Sequence, residues 1–475
     1  MHSINRREFI TRTGAAGAGL WALGSEAAAQ RRAGSKPNIV LIYADDLGWG
    51  DVSCYAARDF QTPHIDSIAR RGAKFFEGYS TCPICGPSRA ALMSGRYQQR
   101  FGFETNPTPG YVAWDEDLGL PTDVEIMPEM LKRAGYATGC VGKWHLGIRP
   151  RFHPNNRGFD YFYGFAGGMH SYYMKHDFWY NWGNEIEENG EPVDSWDYLS
   201  DEFARRGDEF IRRHRDGPFF LYLAFNAPHG PIQATQKYLD RAAKLDEDAR
   251  REYAAVMFGL DEGVGRILDT LRRLGIERNT LLFFISDNGT HRNLKSPDSP
   301  LNGAKGRVEE GGVRVPFLAQ WPGVIPAGST LEGPACTFDL YPTFARLAGV
   351  PLRQKTDGVD LMPFMTGATD EAPHEQLYWG GFGRGGVRFR NWKLIREDDK
   401  PVALYNLEED MGETQNLMDS RPERAREMEA RFQAWRGAMS PPAWDIPKRS
   451  EYAEQRRLWE NKIDFREVPP GERGQ

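Results

Sequence analysis

Asp45-Asp46 and Asp287-Asn288 are two pairs of oxygen-bearing side chains, and each closes an apolar run, at 38–44 and at 281–286. Adjacent carboxylates repel unless a cation lies between them, so such pairs at the ends of buried strands suit a metal. Oxygen donors alone favour Ca²⁺ or Mg²⁺ over zinc. Either pair by itself reads as a solvated turn; together they read as one metal site. A third chemical element is Cys85, in Cys85-Gly86-Pro87-Ser88-Arg89, ahead of a stretch to Arg96 that can form a helix. A residue at a helix start meets free backbone N–H groups that favour an anion. A cysteine there is expected to have a lowered pKa and could act as a thiolate. The plain alternative is a buried structural cysteine. Cys82-Pro83-Ile84-Cys85 also has C-x-x-C spacing, but there is no second cysteine pair to complete a zinc site and no thioredoxin-like context.

The elements that must carry these residues alternate between strand and helix patterns, which predicts an α/β fold with a large, mostly parallel sheet sandwiched by helices. Strands are expected at 38–44, 137–141, 219–225 and 281–286. Helices are expected from Pro63 after an N-cap at Thr62, and over 127–134, 198–213 and 250–274. In an open α/β sheet, ligands bind beyond the carboxyl ends of the strands, where both acidic pairs lie. After residue 365 the pattern changes to short alternating runs around Val387, Trp392 and Leu404. These predict a smaller C-terminal α+β subdomain over 366–440 with an antiparallel sheet. Ser420-Arg421-Pro422-Glu423 reads as a capping box opening a helix with Ala425, Met428, Phe432 and Trp435 on one face.

Cys85-x-Pro-Ser-Arg89, followed by Leu92-Met93-Ser94-Gly95-Arg96, resembles the signature of the type I sulfatases of the alkaline phosphatase-like superfamily. Further segments resemble that family in the same chain order: Asn38–Gly48, Gly142-Lys143-Trp144-His145, Pro228-His229-Gly230-Pro231, Asp287-Asn288-Gly289 and Gly303-Ala304-Lys305-Gly306. The resemblance spans 36–365 as a catalytic domain. It implies that a maturation enzyme oxidises Cys85 to formylglycine, whose hydrate attacks the sulfur of a sulfate monoester. It also implies a Ca²⁺ or Mg²⁺ ion held by Asp45, Asp46, residue 85, Asp287 and Asn288. Arg89, Lys143 and Lys305 would offset negative charge, His229 or Lys305 would protonate the leaving alcohol, and His145 would be the base that releases sulfate. Taken singly, these histidines and lysines read as structural or surface residues. Phosphonate monoester and phosphodiester hydrolases of the same superfamily, and non-catalytic carbohydrate-binding relatives, are the competing functions. His291 and Arg292 lie beyond the second acidic pair and read either as substrate-facing or as a solvated loop.

The chain has 475 residues and a net charge of −6, which argues against a nucleic-acid surface. Asn5-Arg6-Arg7-Glu8-Phe9-Ile10, a mildly apolar stretch and Ala27-Ala28-Ala29 form a twin-arginine export signal over 1–29. Delivery by the twin-arginine translocase to the periplasm or exterior is the expectation. The substrate expected is a sulfated small molecule or oligosaccharide, a sulfated polysaccharide fragment before a small aryl sulfate, with Met169–Tyr173 and the aromatic run 178–182 read as sugar-stacking walls, as core or as an interdomain contact. The charged extension 441–475 lacks an apolar period and is expected to wrap the surface or stay mobile.

Overall fold

The strand Asn38–Ala44 is buried along its whole length and carries no charged side chain. A strand covered on both faces loses the alternation of an edge strand and becomes a continuous apolar run. Its neighbours behave alike: Phe219–Ala224 and Thr280–Ser286 pair with it in parallel, with Ile39 opposite both Phe220 and Leu281. Ala137–Lys143 and Tyr161–Phe165 extend the parallel centre. Phe317–Gln320 joins antiparallel to Thr280–Ser286, and shorter strands on both sides complete a ten-stranded sheet. The computed structural model describes residues 36–107, 118–173, 185–245, 247–381 and 383–444. The expected export signal, the aromatic run 178–182 and nearly all of the C-terminal extension lie outside these described residues.

Alternate side chains of the central strands enter two separate cores. Val40, Ile42, Leu221 and Leu223 pack with the helices Pro63–Arg71, Leu199–His214 and Asp248–Arg273. Ile39, Leu41, Tyr43, Phe220 and Phe283 pack on the other face with Cys85–Ser94, Met127–Arg133 and Leu340–Ala348. Each fully buried aliphatic or aromatic side chain contributes about 1.5–3 kcal/mol, so the sheet is a stiff platform for what projects from its ends.

Gln376–Gly381, Arg384–Phe389, Trp392–Glu397 and Lys400–Asn406 form a four-stranded antiparallel sheet in chain order. The helix Pro422–Gly437 lies on it and buries Ala425, Met428, Phe432 and Trp435. The expected capping box is absent. Arg421 is the N-cap, and Ser420 Oγ donates instead to the Leu417 carbonyl at 3.1 Å. With Pro422 at the first helical position, one N–H that a cap would serve does not exist. The small sheet shares one apolar cluster with Tyr79, Tyr97, Val308, Val313 and Phe338. Among the described residues, no helix is long and apolar enough to cross a membrane.

Candidate active site

The carboxyl ends of the parallel strands deliver most of the site. Asp45 and Asp46 follow Asn38–Ala44, Asp287 and Asn288 follow Thr280–Ser286, and Lys143 is the last residue of Ala137–Lys143 with His145 two positions beyond. His229 lies in the loop after Phe219–Ala224. Cys85 is the first residue of the helix Cys85–Ser94 and Arg89 sits about one turn later. Lys305 comes from the loop ahead of the short helix Glu310–Val313. The structure brings together all ten residues singled out from the sequence.

Ligand atoms of Asp45, Asp46, Cys85 and His229 lie within 4.8 Å of one another. Asn288 borders this group and donates Nδ2–H to Asp46 Oδ1 at 2.7 Å. Its Oδ1 and the Oδ1 of Asp45 are buried acceptors without a hydrogen bond. Buried acceptors are normally satisfied, so unmet oxygens beside clustered carboxylates fit a hard divalent cation. Asp287 is held differently. Its Oδ2 accepts Arg89 Nη2 at 2.8 Å and Nε at 3.1 Å, while Oδ1 accepts the backbone N–H of Asp46 at 3.0 Å. His229 also stands within reach of this group, and the Asp287 carboxylate is engaged by Arg89 Nε and Nη2.

Three cations are tied to the acids. Lys143 Nζ donates to Asp45 Oδ2 at 2.7 Å and Lys305 Nζ to Asp46 Oδ2 at 2.6 Å. Arg89 also donates to the Lys143 carbonyl at 3.1 Å and the Tyr222 hydroxyl at 3.2 Å, and its guanidinium lies over the Tyr43 ring. Arg89 and Lys143 side chains have no exposure, whereas Lys305 keeps 19% and His229 15%. The cluster thus opens towards solvent on the Lys305 and His229 side.

Burial raises the Asp45 carboxyl well above the usual range against the pull of Lys143. Burial acts upwards on Asp46 too, but Lys305, His229 and Lys143 outweigh it and hold that carboxyl down. Asp287 is likewise lowered, by Arg89 and Lys143 against burial. Neighbouring carboxyls are thereby driven apart in acidity. The Cys85 thiol moves opposite to expectation: burial raises it despite Lys143 and Lys305. Desolvation of the thiolate exceeds what the two lysines return, with Asp45 and Asp287 adding to the rise.

Both histidines are uncharged. Burial, reinforced by Lys143 and Arg89, pushes His145 well below its ordinary value, and burial with Lys305 lowers His229 to about 3. His229 Nδ1 lies 2.6 Å from the Gly230 carbonyl. A carbonyl only accepts, so Nδ1 carries the proton and Nε2, 3.6 Å from Asp46 Oδ2, presents a lone pair. Lys305 is raised, since Asp46 and Cys85 overcome its burial, and it stays charged. Asp46 and His145 are non-glycine residues at φ +63° and +62°. Such conformations cost about 1–3 kcal/mol and gather at functional sites.

Two supporting residues escape sequence reading, and a third, Tyr172, falls in the segment read as sugar-stacking wall or core. Gly168 lies against His145, where a Cβ would sit 2.5 Å from Nε2. Asn106 Oδ1 accepts the N–H of Gly86 at the helix start, 2.9 Å away. Tyr172 is fully buried and donates to the Asn226 and His229 carbonyls at 3.2 and 3.0 Å, so it braces the His229 loop and is no sugar-stacking wall. The signal for Tyr172 was its aromatic context, which reads equally as core; for Gly168 there was none. His291 and Arg292 are exposed. All five cysteines are free, and no disulfide joins Cys82 to Cys85.

A mixed sheet with acids and cations converging at its strand ends, capped by a helix start, defines an alkaline phosphatase-like α/β protein. The chain belongs to the sulfatase family, whose model matches residues 37–350. A second model, for the C-terminal part of N-sulphoglucosamine sulphohydrolase, matches residues 305–436. The chain is 37% identical over 358 residues to N-acetylgalactosamine-6-sulfatase of Rattus norvegicus, covering 69% of this chain and 66% of that protein. It is 31% identical over 432 residues to steryl-sulfatase of the same species, covering 73% of each. It also resembles the crystal structure of Ps i-CgsB in complex with k-i-k-neocarrahexaose, with a TM-score of 0.81 and 35% identity, covering 90% of this chain and 98% of that one. The chain thus spans slightly under two thirds, 66%, of the N-acetylgalactosamine-6-sulfatase it matches.

Proposed function

We propose that this protein is an exported sulfatase that hydrolyses sulfate monoesters on a sulfated carbohydrate, using formylglycine made from Cys85 and a bound Ca²⁺ or Mg²⁺ ion. The observation that carries this reading is the convergence of Cys85 with the Asp45–Asp46 oxygens inside a ring of three fixed cations. Asp45, Asp46, residue 85, Asn288 and the bordering Asp287 would hold the metal, with His229 Nε2 at its edge. When present, the metal supplies Lewis acidity to sulfate oxygens and the formylglycine hydrate supplies the attacking hydroxyl.

The chain's own groups do the rest. Arg89 and Lys143 place positive charge, without exposure to water, where negative charge builds on the sulfate. Lys305, charged and on the solvent-facing side, is the proton donor to the leaving alcohol. With Nδ1–H directed at the Gly230 carbonyl, His229 presents a lone pair at Nε2, which favours Lys305 of the two candidates. His145 is the candidate base for sulfate release: it is uncharged and its buried Nδ1 carries no hydrogen bond, while burial and the neighbouring cations make it a weak base.

Carbohydrate is favoured because the matched relatives include an N-acetylgalactosamine-6-sulfatase and a structure holding a neocarrahexaose. Export rests on the twin-arginine pattern of residues 5–10. The test is sulfate release from a panel of sulfated oligosaccharides, beside rates on a sulfate monoester and a phosphate diester that leave the same phenol. Formylglycine content is read by mass spectrometry. Turnover of sulfated sugars is expected; a higher kcat/KM for the phosphate diester would reverse the assignment.

A further inference from the structure

Lys305 sits in a loop, yet its amine must stay on Asp46 and over the leaving group. What fixes that loop comes from the other sheet. The backbone N–H of Gly306 donates to the Pro83 carbonyl at 2.8 Å, in the turn just before Cys85, and the N–H of Lys305 donates to Thr290 at 2.9 Å. These tie the loop to the nucleophile turn and to the strand end of Asp287. On the other side, Arg384 Nη1 donates to the Gly306 carbonyl at 2.6 Å. Arg307 Nη1 donates to Glu397 at 2.8 Å, and the Arg384 Nε lies 3.3 Å from the same carboxylate oxygen. Arg384 and Glu397 are direct cross-strand partners in the small sheet. Val308, next along the loop, is buried in the apolar cluster of that sheet.

We propose that Arg384, oriented by Glu397, is a positioning residue that holds Lys305 at the site through the Gly306 carbonyl, making the small sheet a working part of the active site. This rests on the role given to Lys305 above. The physical need is plain. A lysine side chain has about 2 kcal/mol of rotamer entropy, and Gly306, at φ +80°, adds a backbone that is easily re-aimed. A displacement of about 1 Å at a catalytic group can cost on the order of 100-fold. The cross-strand Arg–Glu pair converts a mobile loop into one anchored at both ends.

The experiment compares wild type, Arg384→Ala, Arg384→Lys, Lys305→Ala and the double variant Arg384→Ala/Lys305→Ala. Each is assayed on an aryl sulfate for kcat and KM separately. Wild type, Arg384→Ala and Arg384→Lys are also labelled with an amine-acylating reagent, with Lys305 and Lys143 followed by mass spectrometry. Arg384→Ala should lower kcat by about 10-fold or more with KM changed less, and Arg384→Lys should recover most of it. In the Lys305→Ala background the same substitution should add nothing. Labelling of Lys305 should rise several-fold in Arg384→Ala while Lys143 stays protected. The proposal is overturned by a defect in KM alone that persists without Lys305, which marks a substrate contact. It is overturned equally by unchanged Lys305 labelling, or by parallel exposure of Lys143, which marks general loosening. Labelling needs no turnover, so an enzyme inactive on sulfate esters would fail the functional reading while still deciding this one.

Discussion

Among the described residues, two clusters set three acids against three cations, and one of them gathers groups suited to chemistry. Under the small sheet, Lys393 Nζ pairs with Glu310 at 2.7 Å and Glu413 at 3.1 Å, Arg314 pairs with Glu310 at 3.3 Å, and Arg388 pairs with Glu77 at 2.8 Å. Tyr79 joins Glu310 to Arg388 through its hydroxyl. At the strand ends, Asp45, Asp46 and Asp287 face Lys143, Lys305 and Arg89. Formal charge does not separate the two. What differs is that the strand-end cluster brings Cys85 and His229 within ligand distance of Asp45 and Asp46; buried acceptors without a hydrogen bond and residues at positive φ occur in both, Glu413 supplying each in the second. The other cluster binds the small sheet to the segment that follows Lys305, with Glu77 partly exposed at its edge. Buried charge, unmet acceptors and positive φ are thus each weak evidence of function; a potential nucleophile among clustered ligand atoms is stronger.

The largest effect that could break this contrast is expected at Cys85. Cys85→Ala should lower kcat by at least about 1,000-fold with an unchanged circular-dichroism spectrum, and appreciable residual turnover would remove the nucleophile from the strand-end cluster. Next, Asp45→Asn, or removal of metal by a chelator, should cost about 100-fold in activity and lower bound metal measured by elemental analysis. Full activity with unchanged metal content would make the two clusters equivalent. In the opposite cluster, Lys393→Met leaves two buried carboxylates without their shared cation. A loss of about 3–5 kcal/mol in urea unfolding is expected, while kcat per folded molecule changes little. If kcat collapsed and stability held, the second cluster would be functional after all.

The smallest effect sharpens the comparison through pH. Burial, with Glu310 adding repulsion against the pull of Lys393, raises Glu413 from 4.5 to about 7. The folded state therefore keeps a proton that the unfolded chain releases, and stability falls as pH rises from about 4.5 to 7. Glu310 runs the other way: Lys393 and Arg314 overcome its burial and lower it to about 2, so its contribution is present above 4.5 and lost as pH falls towards 2. Glu413→Gln should flatten the stability slope between pH 5 and 7 in thermal melts, and an unaltered slope would show that another group titrates there.

Much of the centre of the fold was legible. The strands near Asp45, Lys143 and Asp287 are apolar runs whose buried character needs no partner to be seen, and the helices at 198–213 and 250–274 have clear apolar periods. Tyr161–Phe165 and Phe317–Gln320 were not legible, because five- and four-residue strands have too few positions to show a pattern and depend on the strands they join. Ser420 misled because its hydroxyl found the Leu417 carbonyl, a competition that local spacing does not reveal.

The sequence by itself determined the family, the strand ends that carry the acids, and the helix start at Cys85, because these depend on local pattern and on a motif within a few residues. Only the tertiary structure decided which cation each acid holds: Arg89 meets Asp287 across 198 residues and Lys305 meets Asp46 across 259. It also decided that Cys85 is a harder acid to ionise rather than an easier one. Desolvation and long-range pairing are sums over everything packed around a group, and that sum exists only once the chain has folded.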